Sequence, residues 1–534
     1  MRSGGGGSEF GRFRGEKRQG GQSPWRERSS IDLSRKRKEQ KKLKPQKPLP
    51  PPTAKKNTTI SWLAITKFDA SPTLFYAWAS KAGLKGIAAA WPTPFNKEAW
   101  TYLAAFGGLQ AVLQLCLPGK KVTGPVTPRG NVPVYYANGV LSYFVTLALL
   151  GGSAVLGFWR PERVYDVFGE MLSSLNAFSL LLCLALWAKV RLFFWFSFRL
   201  HSRNKRREEE GEKARRKRRR KPEKRKKLNL SRPRPLNKKK LSSPPPPPPT
   251  THHHNQGHLA PSSTDSGSTG SLLYDYYWGM ELYPRLLKGK FDIKTWTNCR
   301  AGMCGWAVLC LCFAWKQFSV LGRVSNSMAI TAGLINIYLL KFFVWEPGYW
   351  ASMDIAHDRA GYYICWGCLV WVQSIYASPA LFLAGHPRDL NPLCAASIFA
   401  AGLLAIWINY DADRQRQVFR ATSGKALVWG KKPASIVASY SAGDGKTQKK
   451  SLLLASGWWG LARHFHYLPE IAAAALWTAP CGFTAILAWF YVFFLILLLV
   501  DRAFRDDARC AAKYGKDWDR YRALVPAKII PGVF

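Results

Sequence analysis

Asp506, Cys510, Lys513, Asp517 and Tyr521 recur at steps of three and four, the spacing that lines side chains along one stripe of a helix. They follow directly on an apolar run, Trp489–Val500. An ionisable stripe joined to a hydrophobic span is costly unless it lines a cavity and does chemistry there. Arg416 and Arg420 are four apart at the end of another apolar segment, so their guanidinium groups face one way. Arginine stays charged and grips phosphate with two parallel hydrogen bonds. The competing reading for this pair is the cationic flank of a membrane helix. His357 and Asp358 also sit beside an apolar segment, where an ionisable pair is a functional candidate. Its alternative is a structural ion pair with Arg359 or another helix. Glu281 and Arg285, four apart, read as a plain helix pair.

The elements that must position these groups are membrane helices. The chain has 534 residues, 47% of them hydrophobic. Apolar stretches near Thr101–Leu117, Val134–Phe158, Met171–Phe198, Gly302–Trp315, Ser327–Val344, Tyr362–Phe382 and Leu393–Ile408 approach the ~20 residues a crossing needs. A hairpin of two more fits between Ile471 and Val500. The fold class is therefore an all-α polytopic membrane protein with roughly eight to ten spans.

The formal charge of +46 says little about this folded part. About two-thirds of it lies in residues 1–56 and 199–250, which are basic and Pro-rich. Residues 1–92 read as a disordered N-terminal extension, 93–198 as the first membrane segments, 199–256 as a low-complexity insertion and 257–534 as the main core. The extension has no apolar stretch of a cleavable signal peptide. Both basic blocks belong on the cytosolic side, which requires an even number of spans between them, although only two or three are evident. No aromatic residue interrupts the 203–240 charge run for base stacking, so nucleic acid is an unfavoured partner. The 11 cysteines lie mostly in apolar segments and read as packing residues. The one C-x-x-C, Cys365 and Cys368, lacks a thioredoxin-like context. No metal site is expected, because no cluster has zinc or iron ligand spacing and His252–His254 lacks companions.

Four blocks carry a more specific signal. They are Leu117–Gly139 (LPGKKVTGPVTPRGNVPVYYANG), His258–Gly267 (HLAPSSTDSG) with Asp275–Arg285 (DYYWGMELYPR), and Met353–Gly367 (MDIAHDRAGYYICWG). The fourth runs from Asp413–Arg420 (DRQRQVFR) through Ser456–Tyr467 (SGWWGLARHFHY) to Val525–Phe534 (VPAKIIPGVF). Together they resemble the sterol reductase and lamin B receptor family, and within it the plant-type sterol Δ7-reductases, the 7-dehydrocholesterol reductases. The resemblance covers residues 93–534 outside the insertion. Relatives of the sterol C14-reductase branch carry Pro and Asn where this chain has Phe465 and His466, which favours Δ7 over Δ14 reduction. Cys368 stands where many members have Asp, and Gln373 where Pro is usual.

The resemblance implies a multi-pass enzyme of the endoplasmic reticulum membrane. Its expected activity is reduction of the C7=C8 bond of 5,7-diene sterols with NADPH, in a bundle of about ten helices with the cofactor in the C-terminal half. Arg416, Arg420, Leu454, Trp459, His466, Tyr467, Asp506, Cys510, Ala511, Ala512, Lys513, Tyr514 and Tyr521 then fall at cofactor-contact positions. No strand followed by G-x-G-x-x-G exists for a Rossmann site. An unactivated C=C bond is a poor hydride acceptor, so protonation of one carbon should come first, giving an allylic cation, from a supported acid in a dry cavity. Tyr521 is the first candidate to deliver that proton or to hold the group that does, with Asp506 orienting the network. Ring faces stabilise a passing cation without trapping it. Trp278, Tyr362, Tyr363, Trp366 and Trp371 are thus candidate sterol contacts, together with His357 and Asp358. The expected partners are a sterol in the bilayer and other enzymes of sterol biosynthesis. The alternatives are a sterol C14-reductase and a membrane scaffold, like the lamin B receptor, with a basic nucleic-acid-binding arm.

Overall fold

The computed structural model describes residues 60–125, 127, 132–226, 267–441 and 448–534, all within the compact unit Pro51–Phe534. The arm at 1–56, the proline run, the His triplet and the segment 258–266 lie outside the described residues.

The architecture is mostly helical. Helices α1 (Ile60–Lys67) and α2 (Pro72–Ala90) precede α3 (Lys97–Cys116). Asn96 starts α3 by accepting a hydrogen bond from the Ala99 amide at 3.1 Å, which satisfies a donor the helix leaves open. A two-stranded antiparallel ribbon follows, β1 (Lys120–Thr123) on β2 (Val134–Ala137), with Lys120 opposite Ala137. Then come α4 (Gly139–Val155) and α5, one helix from Phe168 to Lys226. After α6 (Leu272–Trp278) the chain builds α7 (Ile293–Leu321), α8 (Asn326–Val344), the short α9 (Met353–Ala356), α10 (Tyr362–Gly385) and α11 (Pro392–Ala421). A second ribbon pairs β3 (Ser435–Ser441) with β4 (Gln448–Leu454), Ser435 opposite Leu454. It leads to α12 (Trp458–Leu461), α13 (Tyr467–Thr478), α14 (Phe490–Tyr514) and α15 (Lys516–Leu524).

Among the described residues, six segments are long and apolar enough to cross a membrane: Phe168–Phe193, Ile293–Leu321, Asn326–Val344, Tyr362–Gly385, Pro392–Ala421 and Ile486–Tyr514. The span expected over Val134–Phe158 starts later, at Gly139, because Val134–Ala137 is taken up in the ribbon. The hairpin expected between Ile471 and Val500 is uneven. Its first helix has 12 residues, and a break through Pro480 and Gly482 separates it from α14. The extension expected to run to 92 ends earlier, since α1 and α2 are formed and Ile65 and Ala70 are buried. Asp69 beside α1 meets His386 Nε2 at 3.0 Å. Residues 199–226, within the stretch read as an insertion, continue α5 as helix.

The bundle interior is aromatic. Trp306, Trp477 and Tyr491 pack with ring centroids about 6 Å apart, and Tyr376 lies 4.3 Å from Tyr491. One buried ion pair crosses it. Arg300 pairs with Glu346, and its Nη2 donates to Asn138 Oδ1 at 2.7 Å. The Gly139 amide donates to the other Glu346 oxygen at 2.9 Å. A Cβ at 139 would lie 2.4 Å from that oxygen, so the end of the first sequence block is a glycine for packing reasons. Buried charges are tolerable when paired and hydrogen-bonded, and here only Arg300 Nε is left without a partner. Arg300 sits in a π-helical stretch, Trp296–Cys304, which packs against a second one, Gly367–Tyr376. Gln373 of the second donates to the Gly302 carbonyl at 2.9 Å, occupying an acceptor in the widened turn. All 11 cysteines are free thiols.

Candidate active site

The polar stripe is shorter than the spacing suggests. α14 ends at Tyr514, and Gly515 turns the chain with φ of 52° before α15 begins. Asp506, Cys510 and Lys513 therefore share one helix, while Asp517 and Tyr521 sit on the next. Asp517 leaves the site, accepting from the Ser439 amide of β3 at 3.0 Å. Tyr521 is buried and donates its hydroxyl proton to the Leu454 carbonyl at 2.8 Å. Burial raises its phenol to about 12, although Arg416, Arg463 and Arg420 all act to lower it. That hydroxyl ties α15 to β4.

Four of the remaining cofactor candidates, Arg416, Trp459, His466 and Tyr467, come together. The Arg416 guanidinium lies over the Trp459 ring at 4.1 Å, a cation–π contact. Trp459 is fixed by donating to the Ala412 carbonyl at 2.7 Å, and its ring is 4.9 Å from that of His466. His466 lies 4.3 Å from Tyr467, and its Nδ1 is buried without a hydrogen bond. Burial, then the Arg416 charge, hold His466 well below the usual imidazole range. Arg420 is exposed, and its side chain forms no ion pair among the described residues. Asp506 pairs with Arg509 and accepts a weak contact from Cys510 Sγ at 3.8 Å. Lys513 Nζ sits over the Tyr440 ring at 4.1 Å, and the Tyr514 hydroxyl is 3.5 Å from Ser451 Oγ. Ala511 packs against the cluster of Trp518 and Tyr521, whereas Ala512 is exposed.

Gly457 shapes the entry to this cluster. Its φ is 62°, and a Cβ there would fall 2.2 Å from Gln415 Oε1 and 2.5 Å from Val428. The close approach lets the Trp458 amide reach Gln415 Oε1 at 3.2 Å, while Trp458 Nε1 donates to Asp411 at 2.8 Å.

The proposed sterol contacts form a chain of rings. Trp278 stacks on Tyr363 at 5.7 Å, Tyr362 on Trp366 at 5.5 Å, and Trp366 lies 5.7 Å from Trp371. Trp371 continues to Phe494 of α14 at 5.1 Å. His357 and Asp358 do not pair with Arg359, which donates instead to the Gly267 carbonyl. They meet α14: Asp358 accepts from Arg505 at 2.9 Å, and His357 Nε2 is 2.6 Å from Arg509. Asp354 accepts from Arg502 at 2.7 and 2.8 Å. Three arginines at steps of three and four thus bind the 354–358 segment, and Arg509 bridges it to Asp506. Burial raises the Asp358 carboxyl, against the Arg505 charge. Glu281 pairs with Lys189, and Arg285 with Asp292, so the expected Glu281–Arg285 pair does not form.

Sequence reasoning missed two further groups. His464 is buried, with Nε2 3.9 Å from Asp506 Oδ2. Tyr338 donates to Glu470 at 2.6 Å, and Asn409 donates to the other Glu470 oxygen at 3.1 Å and to the His466 carbonyl at 2.8 Å. Lys341 joins Asn409 to Asp413, which lies 3.4 Å from Arg416. An arginine-rich helix face would have pointed to the first cluster. Nothing local marks Glu470 or Asn409.

The sequence profile of the ergosterol biosynthesis ERG4/ERG24 family matches residues 62–210 and 252–534. The chain belongs to this family. It is 46% identical over 475 residues to 7-dehydrocholesterol reductase of Arabidopsis thaliana, covering 89% of this chain and 94% of that protein. The 7-dehydrocholesterol reductase of Xenopus laevis is 38% identical over 273 residues, 51% of this chain and 57% of that protein. The Delta(14)-sterol reductase of Methylotuvimicrobium alcaliphilum is 30% identical over 488 residues, 89% and 95% of the two chains. The family profile skips 211–251, which takes in most of the basic 203–240 run.

Proposed function

We propose that this chain is a sterol Δ7-reductase of the endoplasmic reticulum membrane, reducing the C7=C8 bond of 5,7-diene sterols with NADPH. The observation that carries the reading is the 46% identity across 94% of the Arabidopsis thaliana 7-dehydrocholesterol reductase, against 30% with the Delta(14)-sterol reductase over a similar span. Ten helices crossing the bilayer follow if α2, α3, α4 and the short α13 join the six apolar segments. Four crossings then precede the basic end of α5, an even number, as two cytosolic basic blocks require.

The cluster fits the cofactor. Arg416 and Arg420 are two guanidiniums four residues apart on α11, with Arg420 exposed and without an ion pair among the described residues, suited to a phosphate. Trp459 fixes the Arg416 guanidinium over its ring, and His466 Nδ1 has no hydrogen-bond partner. Bound there, NADPH supplies the hydride. The chain's own groups do the rest. Arg509 holds Asp506 in place. Tyr521 fastens α15 to β4 behind it. The aromatic chain from Trp278 to Phe494 gives an allylic cation ring faces and no nucleophile. The arginine ladder on α14 holds the sterol-side segment against the cofactor side, so that both reactants meet in one orientation.

The test is expression in a yeast that accumulates 5,7-diene sterols. The reading requires the Δ5 product. Conversion of 8,14-diene sterols in its place would transfer the chain to the C14 branch.

A further inference from the structure

His464 lies within the candidate site but has no role in the reading above. It is buried, and its Nε2 has no hydrogen-bond partner. The nearest charge is Asp506 Oδ2, at 3.9 Å. The ring cannot swing away. It is stacked on Tyr467 at 5.3 Å with planes 10° apart, and its amide donates to the Lys528 carbonyl at 2.7 Å. The neighbouring Arg463 is clamped by the Val525 and Pro526 carbonyls at 2.7 and 2.8 Å.

A buried imidazole facing a carboxylate should welcome a proton. Here burial opposes it, and so do two nearby cations. Burial is the largest effect and lowers His464 to about 4, with Arg416 of α11 and Arg463 acting the same way. Asp506 and Asp507 of α14 act against them. Asp507 is already engaged by Trp518 and by the guanidiniums of Arg463 and Arg522, and Asp506 by Arg509. Arg416 is the one cation in this set that the proposed cofactor would neutralise.

We propose that His464 is a proton-loading residue: it takes up a proton when a phosphate of the cofactor engages Arg416, and holds it against Asp506 for the reduction. The proposal rests on the NADPH reading. The proton comes from solvent, and an N–H bond forms at Nε2, directed at Asp506 Oδ2. In turnover that bond breaks, the π electrons of the alkene take the proton, and the cofactor's hydride completes the added pair. His464 returns to its neutral form. Loading would thus wait for the cofactor, so that no proton is spent before a hydride is present.

The sign follows from linkage. A group whose proton affinity rises on binding takes up protons between its free and bound pKa, and NADPH affinity falls as pH rises through the bound value. Calorimetry of NADPH binding to the full chain in buffers of different ionisation enthalpy reads this directly. Wild type should take up roughly 0.3–1 proton per NADPH at pH 6.5. NADH, which lacks the extra phosphate, should bring clearly less uptake to the same wild-type protein, a comparison that needs no variant. In H464Q the uptake should disappear while NADPH still binds at pH 8 within about threefold of wild type, since neutral His464 adds no charge there. Equal uptake in wild type and H464Q, or with both nucleotides, overturns the proposal and leaves the cofactor reading standing. Failure of wild type to bind NADPH would sink both.

Discussion

The Tyr521 hydroxyl and the Leu454 carbonyl are 2.8 Å apart and buried, so the proton of the strongest sequence candidate for the acid is already engaged by the backbone. Tyr521→Phe should therefore cost stability more than chemistry. It leaves a buried carbonyl without its donor, a loss of about 1–3 kcal/mol. Turnover should stay within ~10-fold, short of the 10²–10⁴-fold expected for a lost general acid. Thermal unfolding and product formation on one purified variant separate the two.

Replacing Arg416 and Arg420 by Ala should weaken NADPH more than NADH. Each lost charge-assisted contact is worth about 1.5–3 kcal/mol. Arg416→Ala should also alter Trp459 fluorescence, because the guanidinium over that ring goes with it. Equal losses for both nucleotides would move the phosphate elsewhere.

Arg502→Leu strands the buried Asp354 carboxylate, which accepts both its hydrogen bonds from that guanidinium. Breaking a desolvated pair from one side costs about 3–5 kcal/mol. Adding Asp354→Asn should recover part of it. The expected readout is a melting temperature lowered in the single variant and partly restored in the double.

Deleting 211–251, the stretch the family profile skips, should leave sterol conversion in yeast within about twofold, because low-complexity insertions act on solvation more than on the packed core. Loss of activity with normal membrane accumulation would give the insertion a function.

The helical class, the main apolar spans and the neighbourhood of Arg416, Trp459, His466 and Tyr467 were legible because each rests on local pattern: apolar length, helical spacing or a long ordered motif. The pairing of Asp354, His357 and Asp358 with Arg502, Arg505 and Arg509 was not. Those partners lie about 150 residues apart, and any basic residue within reach would have satisfied the same rule. Gly515 hid the break in the polar stripe, since a single glycine is tolerated inside a helix at a modest cost and here turns the chain instead. His464 was passed over in favour of its neighbour His466, because burial and an unpartnered ring nitrogen are properties of the assembled fold.

Gly457 has a consequence for inheritance. Because even one methyl group there would collide with Gln415 and Val428, the mildest missense change at that codon should behave as a null allele. Neighbouring exposed positions such as Leu461 should tolerate varied alleles. In a breeding population, surviving sequence diversity would then be graded by available space rather than by distance from the reacting bond.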